Sequence, residues 1–113
     1  MMRTLGRDYG CPVEFAVDAL GGKWKTVILA RLKQAPMRFG ELRALIPTLS
    51  DKMLSERLRD IVALGLAETH EEGGVSRYRL TPRGASLQPV LQALYDWGSV
   101  NAGPMGARLA PAS

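Results

Sequence analysis

The sequence predicts a mainly α-helical domain that carries one two-stranded β-hairpin. Three observations support that reading. Apolar residues recur at three- and four-residue spacing from Pro12 to Leu64. The spacing changes to alternation on both sides of Gly73-Gly74. A helical stripe returns after Thr81-Pro82. The 113 residues suit a single domain with one modest core. Its expected limits are residues 11–102. Residues 1–10 are expected to be loose, and "GPMGARLAPAS", residues 103–113, to form a flexible tail rich in Gly, Pro and Ala.

"CPVEFAVDALGG" reads as a short first helix. Pro12 suits a first helical position, Val13, Ala16, Val17 and Leu20 form a stripe, and Gly21-Gly22 stops it. "KWKTVILARLKQAP" is a second helix that buries Trp24, Val27, Ile28, Leu29, Ala30 and Leu32 and ends at Pro36. "RFGELRALIP" is a third and shorter one, with Phe39, Leu42, Leu45 and Ile46 at helical spacing before Pro47. Ser50 or Asp51 offers an N-cap to a fourth helix, which runs to about Leu64, where Gly65 supplies a left-handed stop. "LAETHEE" and "VSRYRLT" are then extended runs around a Gly-Gly two-residue turn. That turn sets Thr69 opposite Tyr78 and Ala67 opposite Leu80 on the drier face, with Glu68 opposite Arg79 and His70 opposite Arg77 on the other. Thr81 caps a last helix, Pro82 takes its first position, and Leu87, Val90, Leu91, Leu94, Tyr95 and Trp97 run along it.

A short helix, a tight connection, a polar-faced helix and a hairpin make a winged helix-turn-helix, flanked here by N- and C-terminal helices. In that fold the second helix of the pair enters the DNA major groove and the hairpin reaches the flanking backbone. The stretch "SDKMLSERLRDI" fits the groove-entering role. At 100° per residue Leu54, Leu58, Ile61 and Val62 gather on one side. Lys52, Met53, Glu56, Arg59 and Asp60 face the other way, with Ser55 and Arg57 on the flanks. Charged residues on a surface helix usually form only a solvated face, but Lys and Arg can pair with guanine or phosphate, and Ser with base edges or phosphate oxygens. Ser50, at the helix start, would present its hydroxyl and nearby N–H groups to a phosphate. Glu56 can accept from cytosine N4 or pair with Arg59. Arg38 and Arg43 are further phosphate candidates or plain surface.

"CPVEFAVDALGGKWKTVIL", "RFGELRALIP", "SDKMLSERLRDIVALGLAE", "YRLTPRG" and "LYDWG" stand in an order and spacing that closely resemble the HxlR-type regulators, relatives of the MarR group. The resemblance covers about residues 11–98. It implies a DNA-binding transcriptional regulator and a homodimer, with one wing per subunit, on a palindromic operator. It also implies, for many members, a response to reactive electrophiles, oxidants or aldehydes through the cysteine just before the first helix, here Cys11. The first and last helices are the expected dimerisation elements, through Val13, Val17, Leu87, Val90, Leu91, Leu94 and Tyr95. The wing tip departs from what phosphate contact favours, because it carries Glu71-Glu72. Arg77 and Arg79 are the better wing candidates.

Composition sets limits. Hydrophobic residues make up 46% and charged residues 23%, ordinary for a folded domain. A net charge of +4 suits a polyanionic partner such as double-stranded DNA. No apolar run approaches the roughly 20 residues of a membrane span, and "MMRTLGRDYG" lacks a signal-peptide core, so a cytoplasmic protein without a membrane is expected. A single cysteine fits a reducing compartment. Cys11 reads either as a small buried hydrophobe or as a reactive thiol favoured by its place at a helix start. With no second cysteine, the available chemistry is an intersubunit disulfide, an electrophile adduct or a mixed disulfide with a small thiol. Trp24 and Trp97 read as core or dimer contacts, or else as the lining of an effector pocket. One His and one Cys do not make an ordinary metal site, and no cofactor is expected. No Ser/His/Asp set, phosphate-binding Gly loop or acidic pair points to an enzyme. The remaining alternatives are control by a small molecule bound near the dimer interface, and a winged helix used only for protein contact.

Overall fold

The structure, a computed structural model, describes residues 8–109. The expectations placed on residues 1–7 and 110–113 lie outside them. The element order is α1 (Pro12–Leu20), α2 (Lys23–Gln34), α3 (Phe39–Leu45), α4 (Asp51–Ala63), β1 (Ala67–Glu72), β2 (Val75–Leu80), α5 (Pro82–Ala85) and α6 (Gln88–Asn101). Each boundary has a local cause. Pro12 opens α1, and Gly22 takes a φ of +77° before α2. Ala35, pressed by Pro36, is extended and stops α2. The Ser50 hydroxyl accepts the Met53 N–H at 3.1 Å and starts α4. Gly65, at φ +76°, turns the chain out of it.

β1 and β2 pair antiparallel in the register expected from the Gly-Gly turn, with Ala67 opposite Leu80, Glu68 opposite Arg79, Thr69 opposite Tyr78 and His70 opposite Arg77. Gly73 and Gly74 both have positive φ, as a type I′ turn requires. A further pairing was not foreseen. Met37, between α2 and α3, exchanges both backbone hydrogen bonds with Tyr78, at 2.9 and 2.7 Å. This bridge ties the start of the helix-turn-helix to the wing.

The core draws on nearly every element. Ile28, Leu29 and Leu32 of α2 meet Leu42 and Ile46, Leu49, then Leu54, Leu58 and Ile61 of α4, with Leu66, Ala67 and Leu91 closing it. Burying each large aliphatic side chain contributes about 1.5–3 kcal/mol. The three from α4 therefore hold that helix in one rotational setting.

The last helix differs from the expectation of one continuous element. It breaks at Ser86–Leu87 into α5 and α6. Pro89 is the cause: it has no N–H, and its ring excludes the carbonyl four residues back, so the helix restarts with Pro89 in its first turn. The break also changes the fate of two residues expected at the dimer interface. Leu91 is buried in its own domain's core, and Leu87 packs against that core. Val13, Val17, Val90, Leu94 and Tyr95 remain exposed. Beyond α6, residues 102–107 form hydrogen-bonded turns, with Ala107 N–H donating to the Ala102 carbonyl at 2.7 Å and Gly106 at φ +83°.

α5 is seated by a close approach. A Cβ on Gly84 would stand 1.9 Å from the Leu66 carbonyl oxygen, which is backbone and cannot rotate away. Thr81 secures the same junction, accepting the Gly84 N–H at 3.1 Å while its hydroxyl donates to the Gly65 carbonyl. Gly84→Ala should therefore destabilise the protein by about 2 kcal/mol or more. Gly40→Ala, where a Cβ meets nothing within 4 Å, should be neutral or stabilising by up to about 1 kcal/mol. Urea midpoints at one protein concentration would check the pair, and equal effects would contradict this account of the junction.

Candidate nucleic-acid interface

The helix-turn-helix is α3, a five-residue connection and α4. Two polar contacts set its shape. At the start of α3 the Arg38 N–H donates to the Glu41 carboxylate at 2.8 Å, and the Arg38 guanidinium stands 3.5 Å from the same oxygen. The backbone hydrogen bond, then the Arg38 charge, and then Arg77 reaching over from the wing hold the Glu41 carboxyl below its ordinary pKa. The contribution is fully present above the ordinary carboxylate range and is lost as pH falls through the lowered value. Across the turn, Arg43 pairs with Asp51 in the first turn of α4. Arg43 is therefore paired across the turn rather than projecting alone.

Seating Leu54, Leu58 and Ile61 in the core divides the polar surface of α4 into two flanks. Lys52, Ser55 and Arg59 lie on the flank towards the wing, all exposed. Arg59 forms no ion pair among the described residues. Expected as its partner, Glu56 instead stands 3.7 Å from Arg57. Arg57 is on the other flank, between Glu56 and Asp60, with its Nε 3.6 Å from Asp60 and buried without a hydrogen-bond partner. The two arginines are thus unlike: Arg59 projects from the helix, and Arg57 is held by carboxylates of its own helix. Met53 is exposed. Ser50 sits at the helix start as expected. Its oxygen is engaged as the cap, which leaves the hydroxyl hydrogen free to donate.

On the wing, Arg79 Nε donates to Glu68 at 2.8 Å, so this arginine is neutralised across the strands. Arg77 has no such partner among the described residues, and its charge reaches the α3 N-terminus. Glu71 and Glu72 are exposed at the tip, and His70 lies 3.7 Å from Glu72. Between α4 and the hairpin runs an open groove of about 510 Å³, lined by Ser55, Leu58, Arg59, Val62, Ala63, Thr69 and Tyr78. Sequence reasoning missed it. The i, i+4, i+7 series Ser55, Arg59, Val62 was readable, but not which flank the wing would cover.

Cys11 is exposed at the N-cap of α1 and is not buried in the core of its own domain. Tyr9 and Phe15 stack edge to face, with ring centres 5.4 Å apart. Trp24 is half-buried, with the Lys23 ammonium 4.7 Å from its ring centre. Trp97 is exposed on α6. Neither tryptophan lines the α4–wing groove or the second depression, of similar volume, beside Tyr9, Glu14, Val17 and Asp18. No helix among the described residues is long and apolar enough to cross a membrane.

With this geometry in place, comparison with known proteins identifies the lineage. The model of the HxlR-like helix-turn-helix family matches residues 19–105. An uncharacterised helix-turn-helix transcriptional regulator of Methanothermobacter thermautotrophicus is 38% identical over 96 residues, covering 82% of this chain and 73% of the relative. The redox regulator HypR in its reduced form is similar in structure, with a TM-score of 0.73 and 33% identity over 80% of this chain and 93% of that one. The quinone-bound YodB of B. subtilis gives a TM-score of 0.70 and 36% identity, covering 80% and 99%. The chain belongs to the HxlR-like helix-turn-helix family and is a DNA-binding transcriptional regulator of that type, not an enzyme.

The capping role of Ser50 can be separated from the phosphate contact expected of it. Ser50→Ala removes the cap and should lower stability by about 0.5–2 kcal/mol. Ser50→Asp keeps a capping oxygen but sets a carboxylate where a phosphate would approach. It should retain urea stability while weakening DNA binding. An aspartate variant that binds DNA as well as wild type would remove Ser50 from the interface.

Proposed function

We propose that this HxlR-type regulator works as a homodimer on a two-fold-symmetric operator, with α4 of each subunit in a major groove and Cys11 as its oxidant- or electrophile-responsive group. The observation that carries the proposal is an apolar surface with nothing to cover it. α1 buries no residue in its own domain, and its Val13, Phe15 and Val17 are 70%, 47% and 66% exposed. On α6, Leu94, Tyr95, Trp97 and Val100 are 53–72% exposed. A nine-residue helix is marginal in water without a tertiary face to bury. Monomers also avoid contiguous apolar patches of this extent. A second copy related by a two-fold axis covers both helices at once.

In such a dimer Lys52, Ser55 and Arg59 approach base edges and phosphates, and Arg77 and Arg38 approach the flanking backbone. Arg57, tied to Glu56 and Asp60, orients the helix rather than reading DNA. Arg79, tied to Glu68, acts likewise within the wing. Cys11 lies at the entrance of α1, within the proposed interface. Adduct formation or oxidation there changes bulk and charge between subunits and so alters the spacing of the two α4 helices. Because two grooves must be matched together, a shift of a few ångströms sacrifices one half-site. The resemblance to HypR, a redox regulator, and to quinone-bound YodB supports this reading of Cys11.

Light scattering should give about twice the 12.3 kDa chain mass, and Leu94→Glu should give monomers. Lys52→Ala and Arg59→Ala should each cost about 1–3 kcal/mol of operator binding where the side chain reads a base. Where it meets phosphate, the salt slope should instead shrink by about 1. Arg57→Ala should change urea stability more than DNA affinity. Cys11→Ser should bind like reduced wild type and lose the response to quinone, aldehyde or diamide. A serine variant with the full response would make Cys11 structural, and a monomeric wild type would overturn the dimer.

A further inference from the structure

Five large apolar side chains stand on α4. Leu54, Leu58 and Ile61 are buried in the core, and Val62 lies against the wing. Met53 does neither and is 39% exposed. A single exposed apolar residue is ordinary on a protein surface, but the place and the setting of this one are not. Met53 is the third residue of α4, and its backbone N–H is held by the Ser50 hydroxyl at 3.1 Å. The cap therefore fixes where its side chain leaves the helix. In a helix-turn-helix the N-terminal residues of the second helix are those that contact base edges. The setting is poor in free positive charge. Met53 shares its flank with Arg57 and Asp60, and Arg57 stands 3.7 Å from Glu56 and 3.6 Å from Asp60. Two carboxylates thus face one guanidinium, which disfavours a phosphate there. The cations of α4 without an ion pair among the described residues, Lys52 and Arg59, lie on the other flank.

We propose that Met53 reads thymine: its side chain packs on the C5-methyl group of a thymine and so selects that base at one position of the site. Of the four unmodified bases, thymine alone displays a methyl group in the major groove. Met53 has no charge for a phosphate, and its thioether is a weak acceptor that gains little from a base amine. An unbranched, polarisable chain with three rotatable bonds does adapt to a methyl group. The two flanks of α4 then divide the reading. Lys52 and Arg59 take guanine or phosphate on the wing side, and Met53 takes the methyl on the other. The assignment rests on the reading of α4 as the helix that enters the groove.

The test uses the full chain and a duplex that it selects from a random-sequence pool, with affinity read by fluorescence anisotropy. Each thymine of the duplex is replaced in turn by deoxyuridine, which lacks the methyl group and keeps every hydrogen-bonding group. The expected result is one thymine, or one symmetry-related pair, at which the replacement weakens binding by wild type about three- to fivefold per methyl group. Met53→Ala should bind the thymine and deoxyuridine duplexes equally at that position. Met53→Gln, of similar length but polar, should lose the preference too, whereas Met53→Leu should retain it. The salt slope of Met53→Ala should equal that of wild type, because no phosphate contact is removed. Wild type indifferent to every deoxyuridine would overturn the assignment. A methyl preference undiminished in Met53→Ala and Met53→Gln would do the same, since another residue would then read the methyl. A pool that yields no bound duplex would overturn the reading of α4 as the groove helix, and the role of Met53 with it.

Discussion

The packing of Leu54, Leu58 and Ile61 against the α2 residues Ile28, Leu29 and Leu32 is the constraint on which the functional surface depends. It fixes the rotation of α4 about its own axis. With that rotation set, Lys52, Ser55 and Arg59 face the wing side and outwards, while Arg57 and Asp60 turn to the other flank. The polar contacts are secondary. Arg43–Asp51 and Arg38–Glu41 are solvent-exposed pairs, weakened by solvent screening. Arg43–Asp51 joins α3 to α4, Arg38–Glu41 lies at the start of α3, and the aliphatic contact holds the angle between the two helices.

A second consequence is a division of labour among cations. Net charge attracts a polyanion, but it does not tell which cations are available. Arg43, Arg57 and Arg79 are paired with carboxylates within the fold, whereas Lys52, Arg59 and Arg77 form no ion pair among the described residues. The uncommitted group runs from the first turn of α4 across the groove to β2 of the wing. Glu71 and Glu72, exposed beyond that group, disfavour phosphate at the wing tip. The group therefore bounds the wing contact at Arg77.

Much of this was legible in the sequence where local chemistry decides the outcome. Gly73-Gly74 fixes the hairpin register because both turn residues need positive φ. Ser50, Gly65 and Thr81-Pro82 mark boundaries because each satisfies or ends a helix by itself. Other features depend on partners distant in sequence. Met37 pairs with Tyr78 through one residue, too short to leave a period. Which arginine finds a carboxylate depends on side-chain reach around α4, which a helical wheel does not contain. Leu91 carried the same stripe as Leu94, yet one is core and the other exposed. Both stand on α6, on different sides of it, and Pro89 was the readable sign only of the break that begins that helix, since a proline inside a helical pattern interrupts the hydrogen-bond ladder. Gly84 had no local sign, because its need arises from the Leu66 carbonyl.

The central claim is that two copies of α4, related by a two-fold axis, enter major grooves with Lys52, Ser55 and Arg59 leading. Methylation interference at guanine N7 addresses it most directly, because that atom is displayed in the major groove and lies where these side chains would reach. On a duplex selected by the protein, the account predicts two mirror-related clusters of interfering guanines, centred about 10 base pairs apart or a multiple of that. A single unpaired cluster, or binding indifferent to N7 methylation throughout the protected region, would contradict it.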